Sequence, residues 1–411
     1  AVAVFTPEAA AAVTGIEAAA IVSLVQEIAD ATSAAVYGRM GTTTAAWWPS
    51  AGEPMACATV ASWLIDVIAV ISGNLDRPGG SMWPLPAVGG PTTMGESGSG
   101  RGIRIPGSRR TRVRGVPSVL GEFPASCMAE EIDTPDPMSG ERVRAMLVVG
   151  GNPVVSTPDA DRLRNAMASL DFLVCVDAYL TETSAMADVV LPVPSPLERA
   201  HCDIVFASLA VANSVRYSPP VFAAASGMDE GEILLRLTAI AAGIAGADPE
   251  PTPDQLDDLI ANEVARRISA TPSSPLAGQD PQAILALVGA RRGVERLVDI
   301  SLRGGPYGLT LDDVLAQPHG IDLGPLGPRL PEVLRTPSGR IDLAPPALLQ
   351  EIARLAKRVG KQAPGRDDED RLLLVGRRQL RTNNSWLRNL PLLTGGSARC
   401  TLQIHPDDAR A

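Results

Sequence analysis

Lysine, histidine, aromatic residues and closely spaced cysteines are all scarce in this 411-residue chain, and each scarcity removes a class of function. Lys357 and Lys361 are the only lysines and the formal net charge is -10, which argues against nucleic acid as the principal partner, because such binding rests on neutralising phosphates with a basic face. Cys57, Cys127, Cys175, Cys202 and Cys400 are odd in number and far apart, and they never form the short-spaced pairs that zinc or iron-sulfur sites need. They read as buried or half-buried thiols in a reducing compartment. No apolar run of about 18 residues is free of charge or punctuation, so no membrane-spanning helix is expected. The opening Ala1-Val2-Ala3-Val4-Phe5-Thr6-Pro7 carries neither a basic leader nor a twin-arginine signal. We therefore expect a start upstream of Ala1 and a cytoplasmic protein, with an export signal in that upstream part left open.

What is present is core material. Hydrophobic residues make up 45%, and the length allows roughly two to three domains. The excess of Arg over Lys, with abundant Ala and Pro, reads as genomic composition bias before chemistry. From Ile16 to Ala31 the apolar positions recur at helical spacing, and Ala34-Ala35-Val36-Tyr37 then reads as a short buried strand. That strand runs into Gly38-Arg39-Met40-Gly41-Thr42-Thr43-Thr44, whose small residues let a backbone approach a ligand closely. A further helix is expected from Ala58 to Ser72.

Between Gly73 and Pro137 the pattern changes to Pro, Gly and Ser without periodicity, with six arginines between Arg101 and Arg114. A connection of that length is functional or disordered. The arginines fit a solvated loop, or a grip on an anionic substrate, a cofactor diphosphate or an acidic partner. Regular structure returns with a strand over Val143 to Val149, ending at Gly150-Gly151-Asn152-Pro153, and a helix started by Thr157-Pro158-Asp159 and running through Ser169. Asp171 to Val176 is the next strand, Thr181 to Ala187 a short helix, and Asp188 to Pro192 a third strand. The order is that of a half-Rossmann parallel unit in an α/β protein. Helices are expected over Glu230 to Ile244 and Pro253 to Ile268, and strands again over Arg371 to Val375 and Cys400 to Pro406.

In an open parallel sheet, ligands bind beyond the carboxyl ends of the strands. Gly150 to Pro153, Asp177 and the Gly38 to Thr44 loop all point to such an edge. Glycines there expose N–H groups to phosphate oxygens, the helix N-terminus near Thr157 favours an anion, and Asp177 can accept paired donors from a guanine edge or a ribose hydroxyl. On spacing alone the Gly-Gly-Asn-Pro run is equally an ordinary turn. The Gly-x-Gly-x-x-Gly of a nicotinamide dehydrogenase is missing between a first strand and helix. His201 reads as a helix-end or loop residue with local hydrogen bonds, or as one facing an active-site funnel, and His319 and His405, beside turn residues, read as surface residues.

Residues Gly150 to Pro158, Leu170 to Asp177 and Thr181 to Pro192, taken in order, resemble the molybdopterin oxidoreductase superfamily of formate dehydrogenases, nitrate reductases and dimethyl sulfoxide reductases. Gly38 to Thr43 with Ser72 to Gly80 resembles the family's glycine loop and its Asn-x-x-Arg-Pro-Gly stretch. Val375 to Arg378, Asn383 to Trp386 and Ile404 to Ala409 resemble the start of its C-terminal barrel. The resemblance implies an α/β fold with two Rossmann-like parallel-sheet units plus the start of a C-terminal β-barrel. Its segments are 1–75 (end of a first cofactor-binding unit), 76–137 (irregular excursion), 138–215 (second, guanine-dinucleotide-binding unit), 216–365 (mixed helical region) and 366–411 (truncated barrel).

Carried over residue by residue, it implies that Gly151, Asn152 and Pro153 touch the phosphate or ribose of a molybdopterin guanine dinucleotide and that Asp177 reads its guanine, with Thr181 and Asp188 supporting the pocket. Gly41 and Thr42 would contact a cofactor from the first unit; Asn383, Asn384, Ser385 and Trp386 would approach a pterin. Two such cofactors with molybdenum or tungsten are implied, together with a 4Fe-4S cluster from a segment before Ala1, a two-electron reaction on a small-molecule substrate and an electron-transfer partner. The metal ligand would lie upstream, so the chain itself shows no catalytic residue and is expected to be inactive alone. Formate dehydrogenases carry an active-site Arg-Gly after the Pro-Gly-Gly region, whereas this chain reads Leu85-Pro86-Ala87-Val88-Gly89-Gly90-Pro91, which argues against formate. The rival readings are a metal-free scaffold, like the related complex I subunit, and a nicotinamide dehydrogenase.

Overall fold

The computed structural model describes residues 2–38, 57–89, 109–118, 122–225, 228–244, 251–334, 336, 338–359, 380–383, 385, 387, 390–397 and 401–410. The chain divides into two compact units: residues 1–104 with 193–375, and residues 105–192 with 376–411. Mixed helices and a parallel sheet agree with the α/β class.

The first unit opens with α1 (Pro7–Thr14), α2 (Ala18–Asp30) and α3 (Cys57–Ile71). Thr6 caps α1 by accepting from Ala9 N at 3.2 Å, and Gly15 ends it in the left-handed region at φ 70°. The expected strand over Ala34 to Tyr37 does not form. Its first N–H goes to a side chain, Ala34 N donating to Asn74 Oδ1 at 3.0 Å, and Tyr37 is 80% exposed. An apolar run without a neighbouring strand has no ladder to join. Asn74, buried at 2% exposure, also donates to Ser72, and a Cβ on Gly80 would lie 1.9 Å from its carbonyl oxygen. That turn is therefore held shut by its own packing. No single helix among the described residues is long and apolar enough to cross a membrane.

In the second unit, the stretch expected to be irregular contains a short 3-10 turn (Ala125–Cys127) and α4 (Met128–Asp133). Then follow β1 (Ala145–Val149), α5 (Pro153–Ser156), α6 (Ala160–Ala168), β2 (Phe172–Val176), a 3-10 turn (Ser184–Met186) and β3 (Val189–Leu191). The strands form a parallel sheet in the order β1-β2-β3, with Val148 beside Cys175 and Cys175 beside Val190. Helices α4 and α6 cover one face, where Ile132, Val148, Val154, Leu163, Leu173 and Cys175 make the core. Alternation puts Leu147, Val149 and Phe172 on the other face, 46%, 44% and 47% exposed. The helix expected from Thr157 starts only at Ala160, because the chain first makes the turn α5 and then enters α6 through Asp159 at φ 57°. The helix expected over Thr181 to Ala187 shrinks to the 3-10 turn. Near the end of the chain, among the described residues, the turn α13 (Pro391–Thr394) is helical, and 401–405, within the expected strand over Cys400 to Pro406, is coil.

The rest of the first unit holds β4 (His201–Cys202), β5 (Ser214–Val215), β6 (Tyr217–Ser218), α7 (Glu230–Ala241), α8 (Pro253–Ser269), α9 (Pro281–Ala286), α10 (Gly293–Arg303), α11 (Leu311–Leu315), β7 (Ile321–Asp322) and α12 (Pro346–Val359). Strand β4 pairs with β6 and β5 with β7, all antiparallel. Helix α8 starts in a capping box, Thr252 and Gln255 bonding each other's backbone, with Pro253 at its first position. Its face packs with α9 and α10 through Ala261, Ala265, Ile284 and Ile300. Helix α12 packs against α3.

Candidate functional site

The site grows from the carboxyl end of β1. Val149 ends the strand, and Gly150 turns the chain at φ 61°, a conformation that favours glycine. Its N–H donates to Val176 O at 2.9 Å, which sets the end of β1 beside the end of β2 and hence beside Asp177. Gly151 is different. Its φ is not positive, and an added Cβ would meet nothing nearer than Val148 Cγ1 at 3.8 Å, so neither conformation nor packing requires glycine there. No described residue accepts from the N–H of Gly151 or of Asn152.

Asn152 is 2% exposed, and both ends of its side-chain amide are bonded within the chain. Its Nδ2 donates to Glu182 Oε2 at 2.7 Å, and its Oδ1 accepts from Thr183 Oγ1 at 2.7 Å and Thr183 N at 3.2 Å. Thr183, fully buried, in turn accepts from Val154 N at 3.2 Å. Both lone pairs of the Asn152 amide oxygen are thus taken up within the chain. The expected helix N-terminus near Thr157 is corrected. Helix α6 begins at Ala160, and the Asp159 carboxylate caps it, accepting from Arg162 N, so an acid fills the place foreseen for an anion.

Asp177 follows β2 and is half-buried. Its N–H donates to Leu191 O at 3.2 Å, and one carboxylate oxygen accepts from Tyr179 N at 3.1 Å. No described residue bonds the other oxygen. Burial pushes the thiol of Cys175 up, with the Asp177 charge adding to the shift, so this cysteine is held as the neutral thiol.

Thr181 is also near this edge, but its hydroxyl is spent on the 3-10 turn, bonding Ser184 Oγ at 3.1 Å and accepting from Ser184 N. Asp188 is not brought to it. It accepts from Leu173 N at 2.7 Å at the amino ends of β2 and β3, about 10 Å of strand away from the carboxyl edge. There it pins the sheet. Asn383 is exposed and Ser385 half-buried in the same unit. Gly41, Thr42, Asn384 and Trp386 lie outside the described residues, as do Arg101 and Arg104 of the arginine run and the stretch Arg371 to Val375.

The described arginines of that run serve the fold. Arg110 donates to Gly115 O, Arg112 donates to the carbonyls of Glu131 and Thr134, and Arg114 pairs with Glu130. The stretch Leu85 to Gly89 is likewise structural: Ala87 is in a core with Val215 and Leu302, and Leu85 N donates to Asn213 Oδ1 at 2.7 Å. His201 lies in β4, not at a helix end, while His319 and His405 are exposed. Among the described residues no cluster of His, Cys, Asp and Glu could hold a metal. Glu182 and Thr183 were missed as site residues, although both stand in the Thr-Glu-Thr-Ser run already singled out.

Comparison with known proteins supports a family for part of the chain. The molybdopterin oxidoreductase family profile matches residues 19–204, which include the described parallel sheet and its carboxyl edge. That match and the relatives below support the molybdopterin oxidoreductase superfamily for this stretch. It is 29% identical over 202 residues to a formate dehydrogenase alpha subunit of Methanococcus maripaludis, covering 47% of this chain and 28% of that one. It is 27% identical over 197 residues to formate dehydrogenase H of Escherichia coli, covering 46% of this chain and 26% of the relative. A shorter match, 38% over 56 residues, joins it to the assimilatory nitrate reductase catalytic subunit of Bacillus subtilis, covering 14% of this chain and 8% of the relative. These matches therefore span 28% or less of the relatives' own length. That family implies a molybdopterin with molybdenum or tungsten, and the carboxyl edge offers features that fit a phosphate-bearing group: two N–H donors and a carboxylate oxygen that have no partner among the described residues, and a glycine with no steric need of its own.

Proposed function

We propose that residues 138–215 grip the guanine dinucleotide end of a molybdopterin guanine dinucleotide, within an oxidoreductase that carries two such cofactors and passes two electrons to or from a small-molecule substrate. One observation carries the reading. The N–H groups of Gly151 and Asn152 are unmatched beside the open carboxylate oxygen of Asp177, at the carboxyl edge of a parallel sheet in this family. The N–H donors suit diphosphate oxygens, and the carboxylate suits the paired donors of a guanine edge.

When bound, the cofactor supplies the metal and the redox chemistry; these residues bind and orient its far end. On this reading the fold is Rossmann-like at the sheet, the last residues begin a β-barrel, and electrons leave by a 4Fe-4S cluster to a partner protein. Leu85 to Gly89, packed into a core where formate dehydrogenases carry Arg-Gly, stands against formate as the substrate.

The test is metal and nucleotide analysis of the full-length protein. Molybdenum or tungsten together with guanine nucleotide released on acid denaturation is the expected result. A preparation containing neither would end the reading in favour of a metal-free scaffold, and tight NAD binding would favour a nicotinamide dehydrogenase.

A further inference from the structure

We propose that Asn152 and Thr183 are positioning residues: a buried lock that sets the Gly150–Pro153 turn so that main-chain N–H groups, and not the Asn152 side chain, meet the ligand's phosphates. The inference rests on the reading of this edge as a nucleotide site.

The chemistry of the two side chains allows little else. Asn152 Oδ1 has two lone pairs, and Thr183 takes both, through its N–H at 3.2 Å and its hydroxyl at 2.7 Å. The hydroxyl has one proton to give and gives it to Asn152, while its oxygen accepts from Val154 N. One threonine thus fixes both flanks of Pro153. Glu182 accepts one of the two Nδ2 protons at 2.7 Å. Asn152 is 2% exposed and Thr183 is fully buried, so neither polar group can fall back on water if its partner is removed. The lock leaves the N–H groups of Gly151 and Asn152 unmatched, and an added Cβ at Gly151 would find space. Such an arrangement holds donors in place before the ligand arrives, so that their ordering is not charged against binding.

The lock predicts a distinctive pattern, because phosphate is common to all nucleotides and the base is not. The measurement is calorimetric binding of GDP and ADP to the full-length chain in the wild type, Thr183→Val, Thr183→Ser and Asp177→Asn. Thr183→Val is expected to weaken GDP and ADP by the same factor, about tenfold, leaving their ratio unchanged. Thr183→Ser, which keeps the hydroxyl, should return GDP affinity to within about threefold of wild type. Asp177→Asn should instead change the ratio of GDP to ADP. Hydrogen exchange over residues 150–156 should quicken in Thr183→Val and not in Thr183→Ser. Unchanged GDP affinity in a folded Thr183→Val protein overturns the lock while leaving the nucleotide site standing. A wild type that binds neither GDP nor ADP overturns the site reading, and the lock with it. Should Thr183→Val not fold, Asn152→Asp, which sets an acid against Glu182, carries the same expectation of a common loss.

Discussion

The helices around Asp299 and the turn after β1 treat polar groups in opposite ways. Asp299, fully buried in α10, accepts from Arg291, Arg303 and the N–H of Leu311, and Arg291 also pairs with Asp312. Arg291, Arg292, Glu295, Arg303 and Asp312 line an open groove there, yet their charges are mostly spent on one another or on Asp257, Asp258 and Asp299. At the carboxyl edge of the sheet the side chains are likewise spent, but the main-chain donors of Gly151 and Asn152 and one oxygen of Asp177 are not. A groove alone marks a hollow. Polar groups held in order without partners mark a place for a ligand, and by that criterion the smaller feature is the better site.

Substitutions can break this contrast, and the largest effect belongs to the helical region. Asp299→Ala takes one acceptor from each of two half-buried arginines and from the buried N–H of Leu311, and should cost about 3 kcal/mol of stability in urea or thermal unfolding. A loss under about 1 kcal/mol would show that the network does not hold these helices together. At the sheet edge Asp177→Ala should cost little stability but reduce guanine nucleotide retention at least about tenfold, since a ligand bond to a charged group is lost. Wild-type nucleotide content in that variant would remove Asp177 from the site. Gly151→Ala sharpens the comparison further: stability within about 0.5 kcal/mol of wild type, because the new Cβ has room, yet weaker GDP binding. Equal GDP affinity would mean that no ligand approaches that backbone.

The smallest effect is one of pH. Hydrogen bonds from Arg296 and Arg292 hold the Asp258 carboxyl below its ordinary value of 3.8. A group with a lowered folded value contributes stability above its unfolded value and loses it as pH falls through the folded one. Asp258→Asn should therefore flatten the stability profile below about pH 4, by less than about 1 kcal/mol, because this side chain is 45% exposed. An unchanged acid limb would assign that slope to other carboxylates.

The sequence made the parallel unit legible because Ala145–Val149 and Phe172–Val176 are continuous apolar runs closed by a turn and an acid. The helix expected over Pro253 to Ile268 matches α8, which ends one residue later. Failures have local causes. Ala34 to Tyr37 has β propensity but pairs with no strand among the described residues, and α4 is only six residues long inside a Pro-rich stretch, too short to show a period. At the site, Gly151 and Asp177 could be placed from strand ends. The roles of Asn152, Thr183 and Asp188 could not, since a side chain pinned by a partner 31 or 15 residues away has no spacing signature.

The bond between Asn152 and Thr183 has a consequence for the order of folding. Between them lie α5, α6 and β2, so the two residues meet only once β2 has docked beside β1. Closing so non-local a contact is slow compared with forming a helix. The turn therefore acquires its final geometry only after β2 has docked, and a nucleotide that needs that geometry will be recognised only by chains in which β1 and β2 are already paired.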